Sequence, residues 1–124
     1  MGRWQAGCVD PEALTRSHAS VLDQAVHVIG LVRPLVDTVT RRDRDLATQL
    51  RRALSQVALN VAEGFGTGAG NARVRYETAR SALYEAQAVL RVATAWGYVT
   101  AEEAHSVLEP MQALGERVFG LARR

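Results

Sequence analysis

The chain has 124 residues and a formal net charge of +2, and 48% of its residues are hydrophobic while only 6% are aromatic. This length supports one domain with a substantial core and is too short for two. The single cysteine, Cys8, excludes an intrachain disulfide, and no apolar run reaches the length of a membrane span. The first residues also lack the apolar segment of a signal peptide, so we expect a cytoplasmic protein that does not contact a membrane.

Alanine supplies much of the apolar content, and β-branched residues nowhere alternate with polar residues over the length of a strand. Small side chains allow helices to approach each other closely. The sequence therefore predicts an all-α protein.

Every basic residue is an arginine, and the arginines are unevenly distributed. Residues 41–91 contain nine arginines and five acidic residues, whereas the rest of the chain contains six arginines and eight acidic residues. A basic middle region favours an anionic partner, although the net charge is far below that of a histone-like protein.

A flexible N-terminal arm is predicted for residues 1–9, so that residues 10–124 form the helical bundle. The segment Asp10–Glu12 provides a cap, a rigid first residue and an acid for a helix start, and Ser17 or Ser20 offers a second possible start. The following apolar residues have helical spacing: Leu14, Val21, Leu22, Ala25, Val28, Ile29, Val32, Leu35, Val36 and Val39.

Two features distinguish this first helix. Pro34 removes the hydrogen bond to Gly30, which predicts a kink and not a break. Val26 and Leu31 lie off the main apolar stripe, so the helix is expected to be central or to contact another subunit.

The second helix is predicted to begin after a cap at Asp43 and to run to about Gly64. Its apolar side contains Leu46, Leu50, Ala53, Val57 and Val61. Asn60 falls on this side and is expected to be buried, while Glu63 lies in the last turn, where its charge opposes the helix dipole. We interpret Asn60 and Glu63 as a buried polar network that fixes helix register. A catalytic pair is disfavoured because no His, Cys or second carboxylate is near either residue in sequence.

The glycine-rich segment Phe65–Asn71 is interpreted as a turn between helices, with Asn71 capping the third helix. A phosphate-binding loop is excluded because no strand precedes the segment and no Gly-Lys-Ser/Thr follows it.

The third helix has the most regular apolar pattern in the chain, with steps of three and four residues that are typical of bundle packing. Its members are Tyr76, Ala79, Leu83, Ala86, Leu90, Ala93 and Gly97. Val89 and Trp96 are expected to widen this stripe, and Gly97 to end the helix.

Thr100 and Glu103 predict a capping box at the start of a fourth helix, in which Pro110 introduces a second kink. This helix is expected to bury Ala104, Val107, Leu108, Met111, Leu114, Val118 and Leu121. Long amphipathic helices joined by short connections predict an antiparallel up-down-up-down four-helix bundle.

Residues that could perform chemistry are few. Glu102 and His105 have the Glu-x-x-His spacing of di-iron bundles, but His18 and His27 lack the matching glutamate, so no metal site or cofactor is predicted. Cys8 has no histidine partner in view. The sequence suggests no enzyme class.

The arginines are the remaining candidates for a binding site. The candidate nucleic-acid-binding residues are Arg41, Arg42, Arg44, Arg51, Arg52, Arg73 and Arg75. An antiparallel hairpin places Arg73 and Arg75 at the end opposite Arg41, so one compact patch in a single subunit is not expected. The alternative is a solvated face with local ion pairs. Assembly of several copies would align small patches into a strongly basic ring.

The segment Gln49–Gly66 (QLRRALSQVALNVAEGFG), followed by Ala79, Leu83 and Glu85 and then by Trp96–Val99, resembles a known family. This is the family of small four-helix-bundle proteins encoded in intervening sequences of large-subunit ribosomal RNA genes. It is similar to the accessory variability determinant of diversity-generating retroelements, a partner of reverse transcriptase.

The resemblance spans about residues 17–122, and its most specific residues are Asn60, Glu63 and Gly64 together with Arg51–Ala53, Gly97 and Tyr98. It implies a non-enzymatic homo-oligomer, a pentamer shaped as a barrel with a basic channel. It also implies binding to RNA or DNA, to a nucleic-acid enzyme such as a reverse transcriptase, or to both. The alternative function is a protein-interaction scaffold without nucleic-acid affinity.

Overall fold

The computed structural model describes residues 18–123, and these residues form four helices and no strand. The helices are α1 (His18–Thr40), α2 (Arg44–Phe65), α3 (Ala69–Ala95) and α4 (Ala101–Ala122). The all-α class is therefore confirmed. The predicted N-terminal arm, Cys8, Leu14 and the helix starts at Asp10 and Ser17 lie outside the described residues.

Consecutive helices pack against each other, and α1 also packs against α4, which closes the bundle. Two hydrogen bonds between distant parts of the chain show the direction of the helices. The Tyr98 hydroxyl, in the α3–α4 connection, donates to Asp43 Oδ2 in the α1–α2 connection at 3.2 Å. Arg117 Nη2, near the end of α4, donates to Ser20 Oγ near the start of α1 at 2.9 Å. The arrangement is up-down-up-down, as predicted.

Local capping fixes where α2 and α4 begin. The Asp43 carboxylate accepts a hydrogen bond from the Leu46 N–H at 3.0 Å. At α4, Thr100 and Glu103 form the predicted capping box, with reciprocal hydrogen bonds of 2.8 and 3.0 Å. Each cap satisfies backbone donors that the first helical turn leaves unpaired, which stabilises a helix by about 1 kcal/mol.

α3 ends close to Gly97, the residue at which the sequence predicts the helix to stop. Gly97 adopts φ +80°, a left-handed conformation that glycine reaches without strain, and it directs the chain toward α4. The amide N–H groups of Gly97 and Tyr98 donate to the carbonyls of Thr94 and Ala93 at 3.0 and 2.9 Å.

The core contains the predicted apolar stripes of all four helices. The side chains of α3 at the three-four spacing are buried: Tyr76, Ala79, Leu83, Ala86, Leu90 and Ala93. Val89 is also buried, as expected. Pro34 and Pro110 lie inside continuous helices, so neither proline ends its helix.

Two local predictions were wrong. Asn71 does not cap α3, because the helix begins at Ala69 after Gly68, and Asn71 lies exposed within its first turn. Glycine is acceptable at an N-cap, so the chain needs only a short connection here. Trp96 does not join the apolar stripe: 68% of its surface is exposed, because it follows the last residue of α3 at the edge of the stripe.

Candidate nucleic-acid interface

The seven candidate arginines lie at both ends of the bundle and, in the case of Arg51 and Arg52, within α2. Arg41 and Arg42 lie in the α1–α2 connection and Arg44 begins α2, so these three share one end of the bundle. Arg73 and Arg75 lie in the first turns of α3 at the opposite end, as the antiparallel hairpin predicted. All are exposed.

Arg51 and Arg52, although adjacent in sequence, point to different edges of α2. Glu63 contacts Arg75 of α3, and Arg52 precedes Glu63 by three helical turns, so Arg52 lies on the α3-facing edge. Arg51 follows Arg44 by two turns, so these two residues share one side of α2, about 100° around the helix axis from Arg52. Arg44 and Arg51 therefore lie on the same side of α2, whereas Arg52 lies on a neighbouring side.

An arginine on α1 extends this group, although it was not among the candidates. Gln24 is bonded to Arg117 of α4, and Arg33 follows Gln24 by two and a half turns, which places it on the opposite side of α1. Arg33 is exposed, and it lies as far from the α1–α2 connection as Arg51 does. Helical spacing gives the side of α1 on which Arg33 lies, but it identifies a shared surface only once the packing of α1 against α2 is known.

These arginines are available to an anion. Arg33, Arg41, Arg44 and Arg51 make no ion pair with any residue in 18–123. We call these four residues the α1–α2 arginine face. In contrast, Arg75 is already paired with Glu63 at 3.2 Å.

An aromatic cluster adjoins this face at the same end of the bundle. Trp96 and Tyr98 stack with their ring centroids 6.5 Å apart and an angle of 19° between the ring planes. The Arg42 guanidinium lies over the Tyr98 ring, 5.4 Å from its centroid. Partial burial, the hydrogen bond to Asp43 and the charge of that carboxylate raise the pKa of Tyr98 above its ordinary value near 10, and Arg42 opposes them.

The predicted polar network on α2 is only partly present. Asn60 is buried as expected, and its Nδ2 donates to the Gln56 carbonyl and to Gln56 Oε1, both at 2.9 Å, within the same helix. Glu63 is exposed and not buried, because its partner Arg75 lies at the surface of α3.

Gly64 has a packing role that the sequence did not reveal. A Cβ atom at this position would come within 2.8 Å of Tyr76 Cδ1 and Cζ and closer still to Cε1. Because Tyr76 is buried, its ring has little freedom to move aside. Glycine therefore permits α2 and α3 to approach each other here.

In the Glu-x-x-His spacing of α4, the histidine contacts a different glutamate. His105 Nε2 contacts Glu109 at 3.3 Å, and both side chains are largely exposed. Within residues 18–123, no three His, Cys, Asp or Glu side chains are grouped in a way that could hold a metal ion. None of the described helices has the length and apolar character needed to span a membrane.

The chain is similar to proteins of one family. The model of the family described as 23S rRNA-intervening sequence protein matches residues 18–120. A crystal structure of a protein of unknown function from the S23 ribosomal protein family of Bacteroides thetaiotaomicron has the same fold, with a TM-score of 0.75 and 13% sequence identity. The match covers 84% of this chain and 99% of that one. No curated protein sequence matches the chain.

Proposed function

Because the chain belongs to the family of 23S rRNA-intervening sequence proteins, we propose that it is a non-enzymatic homo-oligomer that binds nucleic acid. The observation that carries this proposal is the α1–α2 arginine face, whose guanidinium groups are exposed and unpaired within the described chain. The ligand is RNA or DNA, and a nucleic-acid enzyme such as a reverse transcriptase is a further partner of the same surface.

Phosphate is the ligand group that suits these residues. A guanidinium group is always charged and donates two parallel hydrogen bonds to a phosphate oxygen pair. An arginine that is already paired must break that contact before it binds phosphate, whereas the four members of the α1–α2 arginine face need not. Contacts of this kind hold the backbone and do not read sequence.

Exposed apolar residues support assembly into an oligomer. Val26 and Leu31 on α1 are 56% and 40% exposed, and Leu59 on α2 is 55% exposed. Burial of such side chains between subunits removes apolar surface from water. The pentamer implied by the resemblance is part of the proposal. These same residues favour the second candidate function, a scaffold that binds only proteins.

Light scattering tests the assembly. We expect a mass several times the 13.5 kDa of one chain at micromolar concentration. A monomer at this concentration would contradict the proposed oligomer and leave each nucleic-acid site acting alone.

A pair of double variants tests the binding surface. Arg44→Gln with Arg51→Gln removes two charges from one edge of α2, and we expect RNA affinity at low salt to fall at least tenfold. The control, Arg123→Gln with Arg124→Gln, removes two charges that follow α4 in the sequence and should change affinity much less. Equal losses of RNA affinity in both double variants would show that binding depends on net charge and not on the position of the arginines. Intact oligomer that binds neither RNA nor DNA would favour the scaffold.

A further inference from the structure

Trp96 is the most exposed of the large hydrophobic side chains that the structure describes, with 68% of its surface accessible. It contributes little to the core. Tryptophan is usually largely buried, so an exposed indole ring beside free cations marks a surface that contacts a ligand.

The backbone holds this ring in place. The Trp96 N–H donates to the Val92 carbonyl at 3.0 Å, so the residue continues the hydrogen bonding of α3. The left-handed Gly97 then turns the chain, and Tyr98 is anchored through its hydroxyl to Asp43. Trp96 is thus attached to the end of α3, and Tyr98 is attached through Asp43 to the start of α2, which lowers the entropic cost of binding.

The charges around the rings fit a polyanion. Arg42 lies over the Tyr98 ring, while Arg41 and Arg44 beside it are exposed and make no ion pair with a described residue. The nearby Asp43 carboxylate is occupied by the Leu46 N–H and the Tyr98 hydroxyl. The stacked rings therefore adjoin a short segment, residues 41–45, in which three arginines outnumber two aspartates.

We infer that Trp96 and Tyr98 form a stacking platform for an unpaired base of single-stranded nucleic acid, with the adjoining phosphates held by Arg41, Arg42 and Arg44. This inference rests on the proposed nucleic-acid binding and specifies its ligand as single-stranded. Bases of any sequence stack on aromatic rings, and the bases of a duplex do not offer their faces.

Tyr84 provides an internal contrast. It is 55% exposed, and Arg80 lies 5.4 Å from its ring centroid, the same distance as between Arg42 and Tyr98. However, Arg80 is paired with Glu77 and also lies over Phe119, so its charge is already engaged. Tyr84 thus combines an exposed ring with an arginine that is already paired, which makes it a matched control.

Tryptophan fluorescence tests the platform directly. The chain has two tryptophans, so Trp4→Phe leaves Trp96 as the single indole reporter. The probes are a single-stranded RNA of about 15 nucleotides, the duplex of the same sequence, and inorganic polyphosphate, which carries charge without bases. We expect the single strand to quench Trp96 and the duplex and polyphosphate to leave its emission nearly unchanged.

Affinity measurements on variants of the whole chain complete the test. Trp96→Ala should weaken single-strand binding about tenfold and leave polyphosphate binding unchanged. Trp96→Phe should restore most of the loss, because a phenyl ring also stacks, and Tyr84→Ala should have no effect. Circular dichroism and light scattering show whether each variant retains its fold and assembly.

The outcomes separate the platform from the proposed function. Salt-dependent polyphosphate binding together with equal single-strand affinity in Trp96→Ala and the parent would overturn the platform alone. Failure to bind any of the three probes would overturn both. Shielding of Trp96 from acrylamide without ligand, with a lower mass for Trp96→Ala, would show instead that the ring contacts a second copy of the chain.

Discussion

The two ends of the bundle use their distinctive residues differently. At the hairpin end, defined by the α2–α3 connection, Gly64 is packed against the buried ring of Tyr76. At the aromatic end, defined by the α1–α2 and α3–α4 connections, Trp96 is exposed and Arg41 and Arg44 are unpaired within residues 18–123. The glycine at the hairpin end allows close packing, whereas the aromatic end leaves rings and charges available.

A sequence motif therefore does not by itself indicate a binding site. The Asn60–Gly64 motif belongs to the most specific part of the family resemblance, yet the structure gives Asn60 and Gly64 contacts within the bundle. Of the residues suited to a ligand, Arg51 and Tyr98 belong to that specific part, whereas Arg41 and Arg44 do not. Substitutions at the hairpin end should therefore alter stability more than binding, and those at the aromatic end should do the reverse.

The largest effect is expected from Gly64→Ala. The added methyl group collides with the buried Tyr76 ring, and such overpacking costs about 1–3 kcal/mol of unfolding free energy. The matched control is Gly120→Ala on α4, where a Cβ atom meets nothing within 4 Å and alanine should stabilise by about 0.5–1 kcal/mol. Urea denaturation measures both. A stable Gly64→Ala protein would show that α2 and α3 are not closely packed there.

A smaller effect is expected from Tyr98→Phe, which removes the hydrogen bond to Asp43. The raised pKa of Tyr98 makes the effect depend on pH. The folded protein holds the phenolic proton more tightly than the unfolded chain, so the contribution is complete below the unfolded pKa near 10 and is lost as pH rises through the higher folded pKa.

The measurement compares urea midpoints of the parent and Tyr98→Phe at about pH 8 and about pH 11, on either side of the tyrosine pKa near 10. The absence of lysine leaves few other groups that titrate in this interval. We expect the two midpoints to converge at the higher pH. A constant difference would show that the hydroxyl does not stabilise the fold through its proton.

The smallest effect is expected from Glu63→Gln. The ion pair with Arg75 is exposed, and pairs of this kind contribute about 0–1 kcal/mol, while loss of a charge that opposes the helix dipole offsets part of the loss. Thermal denaturation should show almost no change. A large destabilisation would support the buried polar network of Asn60 and Glu63 that the sequence predicted.

The sequence predicted the parts of the fold that depend on neighbours within one helix. The caps at Asp43 and Thr100, the stop at Gly97 and the apolar stripe of α3 follow from local hydrogen bonding and helical periodicity. The exposure of Trp96 was not predictable from periodicity. Helical spacing gives the side of the helix on which a residue lies, but it does not show whether a neighbouring helix is long enough to cover that residue.

The candidate site was less accessible to prediction. Which arginines of neighbouring helices share a surface depends on how the helices pack, and the spacing within one helix does not give this. Arg33 was assigned to the α1–α2 arginine face only after the packing of α1 against α2 was known. Glu63 was expected to be buried because its partner on the next helix was unknown.

The salt dependence of RNA binding shows whether the exposed arginines of the α1–α2 arginine face bind phosphate. Each phosphate neutralised on a single strand contributes roughly −0.7 to the slope of log affinity against log salt. We expect a clearly negative slope for the intact protein, and a shallower one for Arg44→Gln with Arg51→Gln than for the Arg123→Gln, Arg124→Gln control. Binding without salt dependence, or equal slopes for the two double variants, would contradict it.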